Sequence, residues 1–342
     1  MKKFFEYIPG FVSAVAIAAL ARRLESLLPI HLIGASVIAL FIGMIINHFH
    51  KPGKRMAPGI KFTSKKVLKF AIVLLGASLS IGTIMHIGRL SLTVMVFTLA
   101  TCFGGGYFIG KALGLNWKLS NLISAGTGIC GGSAIAAIAP VIDAEDSDIA
   151  YAISATFLFD MAMIVLFPIM GRAMGLSDMA YGLWAGTAVN DTSSVVAAGY
   201  AYSEAAGDFA TMVKLTRTLS IIPTVLVFAF IQLRLKRKEA AAAGENSDAK
   251  MQLNFLNLFP WFILGFLAMA GLNSVGLFSS VFSSAAKDIS KFLMVSALAA
   301  IGLNTSFKDM KNSGIRPMLH GFIISALVVI VAIAVEYAIG LV

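Results

Sequence analysis

The chain has 342 residues, of which 58% are hydrophobic and only 13% charged, with a formal net charge of +10. Soluble domains average roughly 25% charged residues, so the composition excludes an ordinary globular protein and points to one polytopic bundle in a lipid bilayer. The basic excess falls mostly in short loops between apolar runs, which marks topology rather than a nucleic-acid partner.

The N-terminal stretch MKKFFEYIPGFVSAVAIAALARR has a basic start and a short apolar core, as a signal peptide does. Its reading here is a first helix from Ile8 to about Ala21. A second apolar run covers Ile30 to Asn47, long enough for a hydrocarbon core of about 30 Å. Lys51, Lys54, Arg55, Lys61, Lys65, Lys66 and Lys69 follow as the strongest cytoplasmic marker. Further runs cover Val67–His86, Ser91–Lys111, Leu119–Ile142, Ile149–Met170, Ala180–Tyr202, Ala210–Leu233, Phe255–Val275, Ile289–Ser306 and Pro317–Ile339, about eleven segments in all. The expectation is an all-α membrane protein forming one domain over residues 1–342, with 236–250 as a flexible cytoplasmic loop inside it. If each segment crosses once, Lys54, Lys236 and Lys311 face the cytoplasm, and the acidic turns 143–148 and 204–208 face outside. Arg22, Arg23 and Arg89 do not fit that layout.

Two stretches break the apolar pattern in the same way. AGTGICGGSAIAAI at 125–138 and AGTAVNDTSSVVAA at 185–198 share Ala-Gly-Thr, a small or polar interruption, then Ser and an apolar run. An unpaired backbone group in hydrocarbon costs several kcal/mol, so a polar break at that depth normally lines a cavity. A matched pair of breaks marks a transporter binding site built from discontinuous helices. The bland alternative is helix packing through small residues. A second similarity, 65–79 against 287–301, suggests an inverted repeat. Whether 119–142 and 180–202 cross or fold back as re-entrant hairpins stays open, since each half, at roughly 15 Å, reaches the midplane either way.

New half-helices starting at Gly131-Gly132-Ser133 and at Thr192-Ser193-Ser194 would present free N–H groups and the positive end of the helix dipole to an anion. Carbonyls around Gly126-Thr127 and Gly186-Thr187 could hold a cation; Cys130 and Asn190 complete the two breaks. Asp191, inside the second break, is the strongest candidate for coupling to a proton or sodium. Asp160 is an intramembrane acid of the same kind or a structural one. Lys214 and Arg217, three apart on one helical face, could draw an anion inward or neutralise the two acids. His31, His48, His50, His86 and His320 lie near helix ends and read as solvated at the interface.

The sequence has no GxSxG, HExxH or GxGD motif for an intramembrane enzyme, no GxxxxGK[ST] for an ATP-driven pump, and no metal spacing around Cys102 and Cys130. No cofactor or metal is expected. A secondary transporter of a small anion is the leading reading, with an ion channel as the alternative; a homodimer is compatible with either.

The stretches LLGASLSIG at 74–82, AGTGICGGSAIAAIAPVIDAE at 125–145, GTAVNDTSSVVAAGYAYS at 186–203, VKLTRTLSIIP at 213–223 and AIGLNTSFKDMKNSGIRP at 300–317 together resemble the YeiH family of bacterial inner-membrane proteins. The resemblance covers almost the whole chain. It implies a secondary transporter labelled a sulfate exporter, akin in architecture to the bile acid and arsenite carriers. Where other members carry a His-Glu pair, this chain has Asn190-Asp191.

Overall fold

The computed structural model describes residues 6–27, 35–243, 261–305 and 314–342, and the elements among them are helical. The chain runs α1 Ile8–Leu27, α2 Ala35–Phe49, α3 Ala57–Phe62, α4 Leu68–Gly76, α5 Ile81–Ala100, α6 Gly106–Ala112, α7 Trp117–Ala125 and α8 Gly132–Ile138. It continues with α9 Asp146–Ala173, α10 Asp178–Ala188, α11 Thr192–Tyr202, α12 Glu204–Leu219, α13 Ile221–Ala243, α14 Trp261–Ser274, α15 Ser280–Asn304 and α16 Ile315–Ala338. Wide turns with i→i+5 bonding at Thr63–Val67, Thr101–Gly105 and Gly126–Cys130 link α3 to α4, extend α5 into α6, and follow α7. Several starts are written in the sequence. Ser80, Asn116, Ser177, Asp191, Ser203 and Ser279 each accept a backbone N–H of the first turn.

The helices sort into two units. In the first, α15 packs on α1, α2 and α4, and α14 on α4. The α2 and α15 backbones touch, since a Cβ on Gly43 would lie 2.5 Å from Ala299 O. Ser290 Oγ donates to Ala71 O (2.6 Å), Asn273 Nδ2 to Leu79 O (3.1 Å) and Ser283 Oγ to Asn273 Oδ1 (3.0 Å). The start of α15 therefore lies beside the end of α4, so the two similar stretches run antiparallel, as an inverted repeat requires. The second unit joins α5 to α13 with α16, α9 packing on α7, α11 and α16 and α12 on α5, α10 and α11.

Within the second unit each glycine-broken stretch folds back on itself. Asn116 and Lys118, at the foot of α7, bond Asp148 Oδ1 (3.1 Å) and Asp143 O (2.6 Å) beyond the end of α8. At the foot of α10, Asp178 Oδ1 accepts from Ser203 Oγ (2.6 Å), Tyr181 stacks on Tyr202 at 3.9 Å, and Tyr181 OH donates to Ala198 O. Both are hairpins whose two feet share one end of the molecule. Helix α9 leads from the first foot at Asp148 to the second at Arg172, about 36 Å at 1.5 Å per residue, so the hairpins enter from opposite ends. The return path is α12 and α13, which bring Gln232 Nε2 back to Asp143 Oδ2 (2.9 Å). Crossing once, as the eleven-segment layout has it, does not hold for 119–142 and 180–202. In consequence the acidic turn 143–148 sits at the same end as Arg234, not with Glu204.

Two expected boundaries also move. The gap between the third and fourth segments lies at Ala77–Ser80 rather than near residue 88, because Ser80 caps α5; His86 and Arg89 are therefore inside a helix, and Arg89 is no longer a misplaced loop cation. Helix α13 continues to Ala243, so the first half of the expected loop 236–250 is helical, while 244–250 lies outside the described residues.

Candidate functional site

The tips of the two hairpins meet. At the first, Gly131 adopts φ +65°, ψ −135°, a conformation open to glycine and costly for other residues, and its N–H closes the turn on Gly126 O at 2.8 Å. A Cβ there would lie 3.0 Å from Asp191 Cβ and Oδ1 of the other tip. At the second, α10 stops at Ala188, Val189 to Asp191 are extended or bent, and Asp191 caps α11 by accepting from Ser193 N (2.9 Å) and, in a short bond, Ser193 Oγ.

Two cations from α12 hold the tips together. Lys214 is fully buried, and its Nζ donates to Ile129 O (2.8 Å) in the first tip and Val189 O (3.0 Å) in the second. Arg217, 1% exposed, donates from Nε to Gly128 O (2.6 Å), from Nη2 to Thr127 O (2.7 Å) and from Nη1 to Val189 O (3.5 Å). These are the carbonyls that a helix end leaves without partners, and they sit at the negative end of the dipole. From α9, the buried carboxylate of Asp160 accepts Asn190 N and Asp191 N, both at 2.9 Å, fixing the second tip. Behind the tips, Ser325 of α16 accepts from Asn190 Nδ2 (3.3 Å) and lies 3.5 Å from Thr127 Oγ1, while Asn190 Oδ1 is buried without a protein partner.

Residues 9–321 match the family profile described as conserved hypothetical protein 698. A UPF0324 membrane protein of Clostridium tetani is 54% identical over 338 residues, 98% of each chain. The chain belongs to this family. UPF0324 membrane proteins of Streptococcus pyogenes serotype M18 and Streptococcus pneumoniae serotype 4 are each 38% identical, covering 100% and 97% of both chains. Among solved structures, the sodium proton antiporter MjNhaP1 of Methanocaldococcus jannaschii aligns over 100% of this chain and 98% of its own, at 13% identity and TM-score 0.30, too slight a likeness to assign a shared architecture. With four helical stretches among the described residues long and apolar enough to span a bilayer and relatives named as membrane proteins, this UPF0324 member is a multi-pass membrane protein.

The structure brings most of the sequence candidates together and gives several of them other tasks. Lys214 and Arg217 are buried and do not pair with Asp160 or Asp191 within 4 Å among the described residues; they hold backbone. The same bonds occupy the first tip's carbonyls, so no bare carbonyl ring of Thr127 to Ile129 waits for a cation. Gly126 and Gly186 are packing glycines, because a Cβ would press on Ile135 and Thr156 in one case and Val213 in the other. Thr187 lies inside α10, its hydroxyl bonded to Leu183 O and Trp184 O. Cys130, Ser193 and Ser194 are buried, Gly132, Asp191 and Thr192 half-buried, and Ser133 exposed. Of the histidines, His86 is exposed, but His320 is buried, its Nε2 at 3.0 Å from Gly106 O and 3.2 Å from Ser120 Oγ; His31 lies outside the described residues. Ser325 went unnoticed in the sequence, since a lone serine in an apolar helix carries no pattern.

Proposed function

We propose that the protein is a secondary active transporter of a small anion, with its substrate site at the meeting of the two hairpins. The observation that carries this reading is the bridging of both tips by buried Lys214 and Arg217. A bundle with no task at that depth would use continuous helices, which satisfy their own backbone; here two desolvated cations are committed to keeping two interruptions open. Because those cations cover the carbonyl ends, the accessible side of the crossing is left with the opposite polarity. It presents the start of α8 at Gly132 and Ser133, and Thr192 at the start of α11.

An anion entering beside Asp160 and Asp191 adds negative charge next to two acids, which favours a companion proton or cation. Asp191 supplies the place for one. It is the acid nearest the first tip, and an anion at Gly132-Ser133 would be repelled by its carboxylate. Proton uptake by Asp191, or a sodium ion beside it, then accompanies substrate. Asp160, with both oxygens on backbone N–H groups, positions the tip. The basic loops place the foot of the first hairpin and Lys236 at the cytoplasm and the foot of the second outside. Sulfate or a related sulfur oxyanion or sulfonate is the substrate class that the family label suggests.

Reconstituted protein should show saturable sulfate counterflow and accumulation driven by a pH or sodium gradient; flux that never saturates would instead favour a channel. Asp191→Asn is expected to abolish gradient-driven accumulation while keeping exchange. Driven accumulation at the parent level in that variant would remove Asp191 from coupling.

A further inference from the structure

The two units are tied at one end by ion pairs that the site does not use. From α15 in the first unit, Lys287 Nζ lies 2.6 Å from Asp208 Oδ2, and Lys291 Nζ 2.7 Å from Glu204 Oε2, both acids belonging to α12 of the second. Tyr200 OH donates to the other oxygen of Asp208 at 2.6 Å and sets its orientation. Close by, Ser274 Oγ accepts Ile81 N (2.8 Å), a second polar tie between the units at this end.

Among the described residues, the opposite end is built differently. There Asn47 bonds Thr305 within the first unit, and Lys118 and Gln232 bond Asp143 within the second. In the internal repeat Lys65 and Lys69 correspond to Lys287 and Lys291, yet both are exposed, and Lys69 lies over the Phe262 ring of its own unit. The tips cannot open one at a time, because Lys214 and Arg217 join them to each other and Asp160 joins the second to α9. Any change in access must therefore come from motion between the units.

We propose that Lys287–Asp208 and Lys291–Glu204 form a latch that closes the Glu204 end of the path between the two units, so that the structure described is the state open towards the first hairpin's foot. The latch rests on the carrier reading above for its purpose, but its test does not need transport. Thr192→Cys places a thiol at the second tip, on the helix that packs against α2 and α15. Cys102 and Cys130, 0% and 2% exposed, add little background labelling.

With a membrane-impermeant maleimide applied to sealed vesicles of either orientation, the thiol is expected to label mainly from the cytoplasmic side. Adding Lys287→Ala and Lys291→Ala should raise labelling from the Glu204 side several-fold. The charge exchange Lys287→Asp with Asp208→Lys should keep labelling near the parent level, and it serves as the decisive variant if the double alanine chain does not fold. Unchanged labelling in the folded alanine variant, or an exchange variant that labels like it, overturns the latch. Sulfate counterflow measured on the parent protein separates the two claims: parent flux with unmoved labelling sinks the latch alone, whereas shifted labelling without saturable parent flux sinks the carrier alone.

Discussion

Lys214 is a cation whose task is backbone satisfaction, and that task sets what its loss would cost. Lys214→Ala leaves Ile129 O buried without the Lys214 bond and Val189 O with only the long bond from Arg217 Nη1. A buried polar group without its partner costs about 1–3 kcal/mol, so the variant should lose about that much in an unfolding measurement. Lys118→Ala, which removes one bond at an exposed site, serves as the reference and should change stability by no more than ~0.5 kcal/mol. Equal stability of the two would mean that water replaces Lys214 without penalty. Gly131→Ala acts through conformation instead. A φ of +65° with this ψ costs a non-glycine residue of order 1–3 kcal/mol, and the added methyl also meets Asp191 at 3.0 Å. Loss of sulfate-dependent stabilisation together with a lowered melting temperature is the expected pair of effects.

At the scale of the element, the two hairpins were half legible. The interruptions stand out at 125–138 and 185–198 because Gly-Thr-Gly and Asn-Asp-Thr-Ser cannot continue an apolar helix quietly. Crossing or folding back could not be read, since a half-helix of about ten residues reaches mid-bilayer in both cases. What decides it is long-range: Asn116 to Asp148 in one hairpin, Asp178 to Ser203 in the other. The spacing of Lys214 and Arg217 showed a shared face but not what that face meets, because the carbonyls they hold lie 25 to 90 residues away in the chain. The start of α8 offers a sharper test than its sequence suggested. Apart from its chain neighbours and its own helix backbone, nothing lies within 4 Å of where a Cβ on Gly132 would sit, so a side chain there starts into open space at the approach to the site. Gly132→Val should abolish sulfate binding in correctly inserted protein, while Ser133→Ala weakens it several-fold. Parent affinity in both variants would return the breaks to helix packing.

For the whole molecule, the apolar runs made the helical membrane bundle readable, and the two similar stretches 65–79 and 287–301 lie on helices that run antiparallel. The side taken by residues 143–148 was not readable, because counting segments cannot distinguish a hairpin from a crossing. Cysteine labelling in intact cells can. Glu145→Cys and Lys236→Cys should both react only from inside, and Asp178→Cys only from outside; labelling of position 145 from outside, with 236 inside, would restore the eleven crossings.

The bridging cations also fix an order of events during synthesis. The first tip is complete by Cys130, but the groups that satisfy its carbonyls are Lys214 and Arg217, more than eighty residues later. Chains leave the ribosome at about 5–20 residues per second, so for some seconds a polar hairpin exists with no protein partner for its bent backbone. It cannot settle in hydrocarbon during that interval. The first hairpin must wait in a wet or chaperoned environment until α12 arrives, which makes the second half of the protein the assembly factor for the first.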